Sequence, residues 1–179
     1  MRLLQPLDKS LNAVIVDVVG RILPNGYDVS DNAPATYEQL IKHLSTGHKL
    51  VVWSGGSGNT IYGDLETNYA FRAWHDWCHW IGAHHFTQEG EAAVCAMQCR
   101  QIIADHGDNC RTRYWRSIIE AEVIGQNTLA HMHKRFPEDQ IGFVTAYLSA
   151  VVTLVERTSN VRHRERLLRD LKIARQQIE

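Results

Sequence analysis

The stretch Asn68-Tyr-Ala-Phe-Arg72-Ala-Trp-His75-Asp76-Trp-Cys-His79-Trp-Ile-Gly82-Ala-His84-His85 decides how this chain is read. As a helix, at about 100° per residue, it gathers Asn68, Arg72, His75 and His79 into a wedge of roughly 60°. Trp, Ala and Ile dominate the rest of its surface. His75 and His79 stand one turn apart, the spacing that lets two imidazoles reach a common metal ion or phosphate. Three readings of the stripe stay open at this stage. It is an exposed polar face, a buried hydrogen-bond network without metal, or a metal or catalytic site.

Working outward, everything from Asp64 on reads as helical. The periodicity predicts helices over about Leu65–His84 and Gln88–Asp105, the second capped by Thr87 and closed by Gly107. Further helices are expected over Thr112–Arg135, from Pro137 to Arg157, and from Asn160 to the end. The span 138–157 is apolar nearly all round, so the reading places it at the centre of a bundle.

The first 63 residues read as mixed. Leu11–Val19 and His48–Trp53 are β-branched and short, which predicts strands, with a third, short one at Asn59–Tyr62. Pro24-Asn-Gly26 marks a turn, and a helix is expected over Pro34–Thr46 with Gly47 at its end. The expected fold class is α+β, mainly α. It is a single domain over 1–179, with a small α/β part (1–63) and a bundle of five to six helices (64–179).

The third long helix supplies the clue that gives the histidines weight. Glu122 projects into the middle of an apolar face holding Trp115, Ile118, Ile119 and Leu129, with Gln126 and His133 along the same stripe. A carboxylate at a core-facing position is costly unless it is paired, protonated or bound to a metal. Glu91 lies at the edge of the apolar face formed by Cys95, Cys99 and Ile102 and is placed to approach the same site. If the helices are neighbours, His75, His79, Glu122 and Glu91 converge on a divalent ion. Two imidazoles with carboxylates suit zinc, iron or manganese. Asn68, Arg72 and Gln126 then bind an anionic substrate, with Glu122 and Arg72 as the catalytic pair.

Composition narrows the rest. With 44% hydrophobic and 22% charged residues and a formal charge of −1, the chain has the make-up of an ordinary globular protein. No apolar run reaches the roughly 18 residues a membrane span needs. The start lacks a signal-peptide h-region, which predicts a cytoplasmic location. Acidic residues prevail before residue 111 and basic ones after it. The basic end, with Arg162, Arg164, Arg166 and Arg169, permits an acidic partner, a host protein or nucleic acid. None of the four cysteines forms a CxxC pair, and Cys95 and Cys99, one turn apart, read as small buried hydrophobes. Ser54-Gly-Gly-Ser-Gly-Asn-Thr60 lacks the lysine of a phosphate-binding loop and reads as a flexible turn or a mobile flap over the histidine helix.

Two resemblances add to this. His75-Asp76-Trp-Cys-His79 resembles the His-Asp-x-Gly-His step of HD-superfamily phosphohydrolases, with Cys78 where that family has glycine. The resemblance implies a helical, metal-dependent enzyme acting on phosphate esters, with His75 and Asp76 as ligands, His43 as the upstream histidine and Asp139 as the distant aspartate. The run Thr60–His79 resembles small helical proteins of bacteriophages and prophages, which implies the cytoplasm of a host. The function expected from the sequence is a metal-dependent hydrolase of a phosphate-containing small molecule or nucleotide. The alternative is a non-enzymatic phage-type protein that binds a host protein or nucleic acid.

Overall fold

The computed structural model describes residues 6–157 and is mainly helical, with one two-stranded parallel sheet. The expected helix from Asn160 onward lies outside the described residues. Helix α1 spans Lys9–Ile22, where a strand was expected. Its buried residues are Leu11, Val14, Ile15, Val18 and Val19, which follow the i, i+3, i+4, i+7, i+8 pattern of an amphipathic helix. Burial of that stripe against the helix carrying the histidines outweighs the weak strand preference of its valines. Asp8 caps the start, its Oδ1 accepting from the backbone N–H groups of Ser10 (2.7 Å) and Leu11 (2.9 Å).

Strand β1 (Asp28–Ser30) pairs in parallel with β2 (Val51–Trp53), Val29 opposite Val52. Helix α2 (Tyr37–Ser45) makes the crossover that a parallel pair requires. It starts at Tyr37 behind a Thr36 cap, three residues later than the expected Pro34 start, and Gly47 follows its end at φ +79°. Asn59–Tyr62 forms no strand. It is a buried turn in which Ile61 and Tyr62 enter the core and the Tyr62 carbonyl accepts from Asn12 at 2.7 Å.

Helix α3 (Leu65–Gly82) occupies the centre. It is capped by Asp64, buries Ala70, Phe71, Ala73, Trp74, Cys78 and His79, and packs on α1, α2, β2 and α4 (Gln88–His106). Helix α5 (Cys110–Glu120) runs through one π turn, Ala121–Gly125, into α6 (Gln126–His133). Helix α7 (Gln140–Arg157) lies against α5 and the π turn. This corrects the expectation of a central helix over 138–157: of its side chains through Val151 only Val144 is fully buried. An all-round apolar composition did not place α7 at the centre. Its aromatic residues, Phe143 and Tyr147, instead sit against the π turn at Gly125. One apolar core joins α1, α3, α4, α5 and Val144, and a smaller one of Leu40, Leu50, Val52 and Ala73 underlies the sheet. Although α1 lies within the first 63 residues, it belongs to the helical core. Among the described residues, no helix is long and apolar enough to cross a membrane.

Candidate metal centre

The i, i+4 spacing on α3 carries His75 and His79 to the same side of the helix, and their Nε2 atoms lie 3.0 Å apart. Glu91, in the first turn of α4, closes the group. Its Oε2 is 3.1 Å from His75 Nε2 and its Oε1 is 3.4 Å from His79 Nε2. These three residues form the one cluster of potential metal ligands among the described residues. Two nitrogens on one tetrahedral zinc, at about 2.0–2.1 Å each, stand roughly 3.3 Å apart, so a group spaced for hydrogen bonds and ion pairs could also hold a shared ion.

The proton positions favour the same use. His79 is fully buried, and its Nδ1 lies 2.8 Å from the His84 carbonyl oxygen. A carbonyl only accepts, so Nδ1 carries the proton and Nε2 is the ring nitrogen that faces the centre. Backbone carbonyls hold metal-binding histidines in this way. The turn that supplies the carbonyl follows Ala83, which ends α3 in the left-handed conformation at φ 51°. On His75 the matching atom, Nδ1, is buried without a hydrogen bond of ordinary geometry. Gln98 also lacks such bonds although it is fully buried, and its side chain favours a proton on His75. Asn127 donates to Glu91 Oε2 (3.2 Å) and to the Val123 carbonyl (2.9 Å), fixing the carboxylate from the other side.

Without an ion, the cluster is a charged pair. Burial acts to lower the His75 pKa, but the hydrogen bond and charge of Glu91 outweigh it and raise the value. Burial likewise acts to raise the Glu91 pKa, and the bonds from His75 and His79 instead hold it at about 2. Phe71 stacks beside His75 (6.3 Å between centroids), and the edge of Phe86 meets His79 at 4.6 Å.

The centre opens into a cleft of about 470 Å³ whose lining includes Asp76, Arg72, Glu122 and Gln126. Glu122 is only half-buried by side-chain exposure but sits deep enough that burial pushes its carboxyl up to about 7. It stands outside the ligand cluster, and Gln126 Nε2 donates to its Oε2. Asp76 lines the same cleft, and burial pushes its pKa up to about 6.

Arg72 is turned toward the glycine-rich loop. Its Nη1 donates to the carbonyls of Trp53 (2.6 Å) and Gly55 (2.7 Å), while its charge still acts on Glu122. Both ends of the Asn68 amide are also committed to that loop, donating to Ser57 Oγ (2.8 Å) and accepting from Thr60 Oγ1 (3.0 Å). Asn68 and Arg72 therefore tie the loop to α3, which the helical wheel could not distinguish from holding a ligand. The upstream histidine and distant aspartate implied by the phosphohydrolase resemblance lie elsewhere, whereas His75 and Asp76 both line the cleft. His43 Nε2 bonds the Lys49 carbonyl (2.8 Å), and Asp139 caps α7 by accepting from Gly142 N (2.9 Å). His133 is exposed and lines a separate depression beside Phe136 and Pro137.

Gln98 and Asn127 escaped the sequence reading. Gln98 carried a signal, a polar residue amid Val94, Cys95, Cys99 and Ile102 on one face of α4. Asn127 carried none, because the π turn sets its direction.

The raised pKa of Glu122 predicts a pH-dependent stability. The folded chain prefers the neutral acid, so Glu122 costs nothing below the unfolded value of 4.5, and the penalty grows as pH rises to about 7. Glu122→Gln is expected to match the parent near that lower value and to exceed it by about 2–3 kcal/mol at about pH 8. Urea denaturation at the two pH values measures the difference. Equal curves at both would show that the carboxyl is solvated.

No family model, curated protein or solved structure matches this chain.

Proposed function

We propose that the protein is a metal-dependent hydrolase of a phosphate-containing small molecule or nucleotide, with His75, His79 and Glu91 holding one divalent ion. The observation that carries this reading is the convergence of two imidazole nitrogens and a carboxylate within 3.0–3.4 Å at the base of an open cleft. Two nitrogens and one oxygen suit zinc, manganese or iron, and three protein ligands leave a position open, as catalytic sites do and structural zinc sites do not. A bound ion supplies Lewis-acid polarisation of a phosphoryl oxygen and acidifies a water.

The chain itself supplies the rest. Glu122, its carboxyl pushed by burial up to about 7, exchanges a proton near neutrality and fits a general acid or base within the same cleft. Gln126 fixes which way its carboxyl points. The Arg72 charge favours anions in the cleft while its guanidinium stays bound to the loop. Phe71 and Phe86 flank the imidazoles.

The test is elemental analysis of the full-length protein after loading with zinc, manganese or iron, followed by assay of phosphate release from phosphomonoesters and diesters. Near-stoichiometric metal that disappears in His75→Ala/His79→Ala, with metal-dependent phosphate release, is the expected result. A protein that takes up no metal and melts identically in chelator overturns the reading.

A further inference from the structure

The glycine-rich loop after β2 has a physical task that its composition did not disclose. Trp53 ends β2 next to the fully buried Val52, yet 54% of it is exposed. Its six-membered ring occupies the space that a Cβ at Gly55 would need, 2.3 Å from Cζ2, and comes within 3.3 Å of that position at Gly56. The guanidinium of Arg72 lies over the same indole at 5.6 Å from the ring centroid, held there by the carbonyls of Trp53 and Gly55. The ring is therefore seated by two glycines and a cation, and what it leaves uncovered lines the cleft that contains His75 and Glu91.

Two further aromatic rings line that cleft with exposed surface, Phe136 at 58% and Phe86 at 36%. Near the loop stands an unmet acceptor. Gln140 Oε1 is buried without a partner, while its Nε2 reaches the Gly56 carbonyl at a long 3.4 Å. A fixed indole and an acceptor in want of a donor suit a planar heterocycle bearing N–H groups. The cleft's volume lies in the range of small-ligand sites. Arg72 is the one Lys or Arg among the described residues lining it, so it lacks the basic track that a nucleic-acid strand requires.

We infer that the ligand of this cleft is a mononucleotide whose base stacks on Trp53 while its phosphate reaches the His75, His79 and Glu91 centre. The inference rests on the hydrolase reading for the phosphate end alone. The base end stands on Trp53, its glycines and Gln140.

The experiment titrates the full-length protein with each of the common ribonucleoside monophosphates, with the matching nucleosides, and with ribose phosphate as the base-free probe. Each titration is run with saturating manganese and again in chelator, and is read by calorimetry and by tryptophan fluorescence. At least one nucleotide is expected to bind more tightly than ribose phosphate. Trp53→Ala is expected to weaken that nucleotide ~10-fold or more while changing ribose phosphate less than ~2-fold, and Trp53→Phe to keep most of the affinity. Because Trp53 is largely exposed, the melting temperature of each variant serves as the control for folding.

If no nucleotide binds, if ribose phosphate binds as well as any of them, or if Trp53→Ala leaves nucleotide affinity unchanged, the platform is overturned, whether or not metal is taken up. Nucleoside binding lost in Trp53→Ala, together with nucleotide binding indifferent to manganese, keeps the platform and overturns the phosphate end and the hydrolase reading beneath it.

Discussion

Replacing Glu91 by alanine is expected to abolish metal uptake and to destabilise the chain by about 3 kcal/mol in mildly acidic solution. The side chains of Glu91 and His75 are only 14% and 17% exposed, so each is the other's main compensation for lost water. The pH window follows from the two shifts. Glu91, held at about 2, contributes stability that is present above its unfolded value of 4.5 and fades as pH falls toward 2. His75, shifted upward, contributes stability that is present below its unfolded value of 6.5 and fades as pH rises through its folded value. Both are fully present between 4.5 and 6.5, and there the variant should differ most from the parent. At alkaline pH the gap should narrow, because His75 can shed its proton. Thermal or urea denaturation across pH, with metal excluded, measures it. A flat difference across the whole range would mean that the pair is not coupled.

Gly90→Ala, one residue earlier, is expected to be nearly as harmful by a purely steric route. A Cβ on Gly90 would lie 1.8 Å from the His85 carbonyl oxygen, a backbone atom that no rotamer change can move. The first turn of α4 must shift away from the end of α3, at a cost of about 2–3 kcal/mol. That turn carries Glu91, and the neighbouring carbonyl, of His84, holds His79 Nδ1. Metal affinity should therefore fall by at least ~10-fold even at a temperature where the variant is fully folded. Unaltered affinity in a destabilised Gly90→Ala would show that the centre tolerates movement of α4.

Periodicity carried much of this architecture, and the exceptions have separable causes. The spacing of His75 and His79 and the apolar face bearing Glu91 were legible because α3 and α4 are long, regular and capped by Asp64 and Thr87. Helix α1 was misread because valine and isoleucine weigh toward strands, although its burial follows helical spacing. Strand β1 is three residues long with no apolar run, so only its pairing with β2 defines it. Asp76 projects away from the histidine stripe on a helical wheel, yet it lines the cleft, because the cleft spans more than one stripe of α3. Arg72 and Asn68 were read as ligand-binding because a wheel gives direction and no partner. Their partners come from a loop that precedes α3 in the chain.

The π turn at Ala121–Gly125 has a consequence for how the wall of the cleft is kept in alignment. It takes up one residue more than ordinary helical winding would use, and Gln126 and Asn127, which hold the two glutamates, come directly after it. Deleting a single residue between Glu122 and Gln126 would let the rod wind as ordinary α-helix, and a step of three would replace the step of four that brings the Gln126 amide to the Glu122 carboxyl. The meeting of these two side chains is thus set by the number of residues between them as much as by their own identity. Chain length at this point works as a shim, and a change of one in the count would alter the wall of the cleft without substituting any residue of the His75, His79 and Glu91 group.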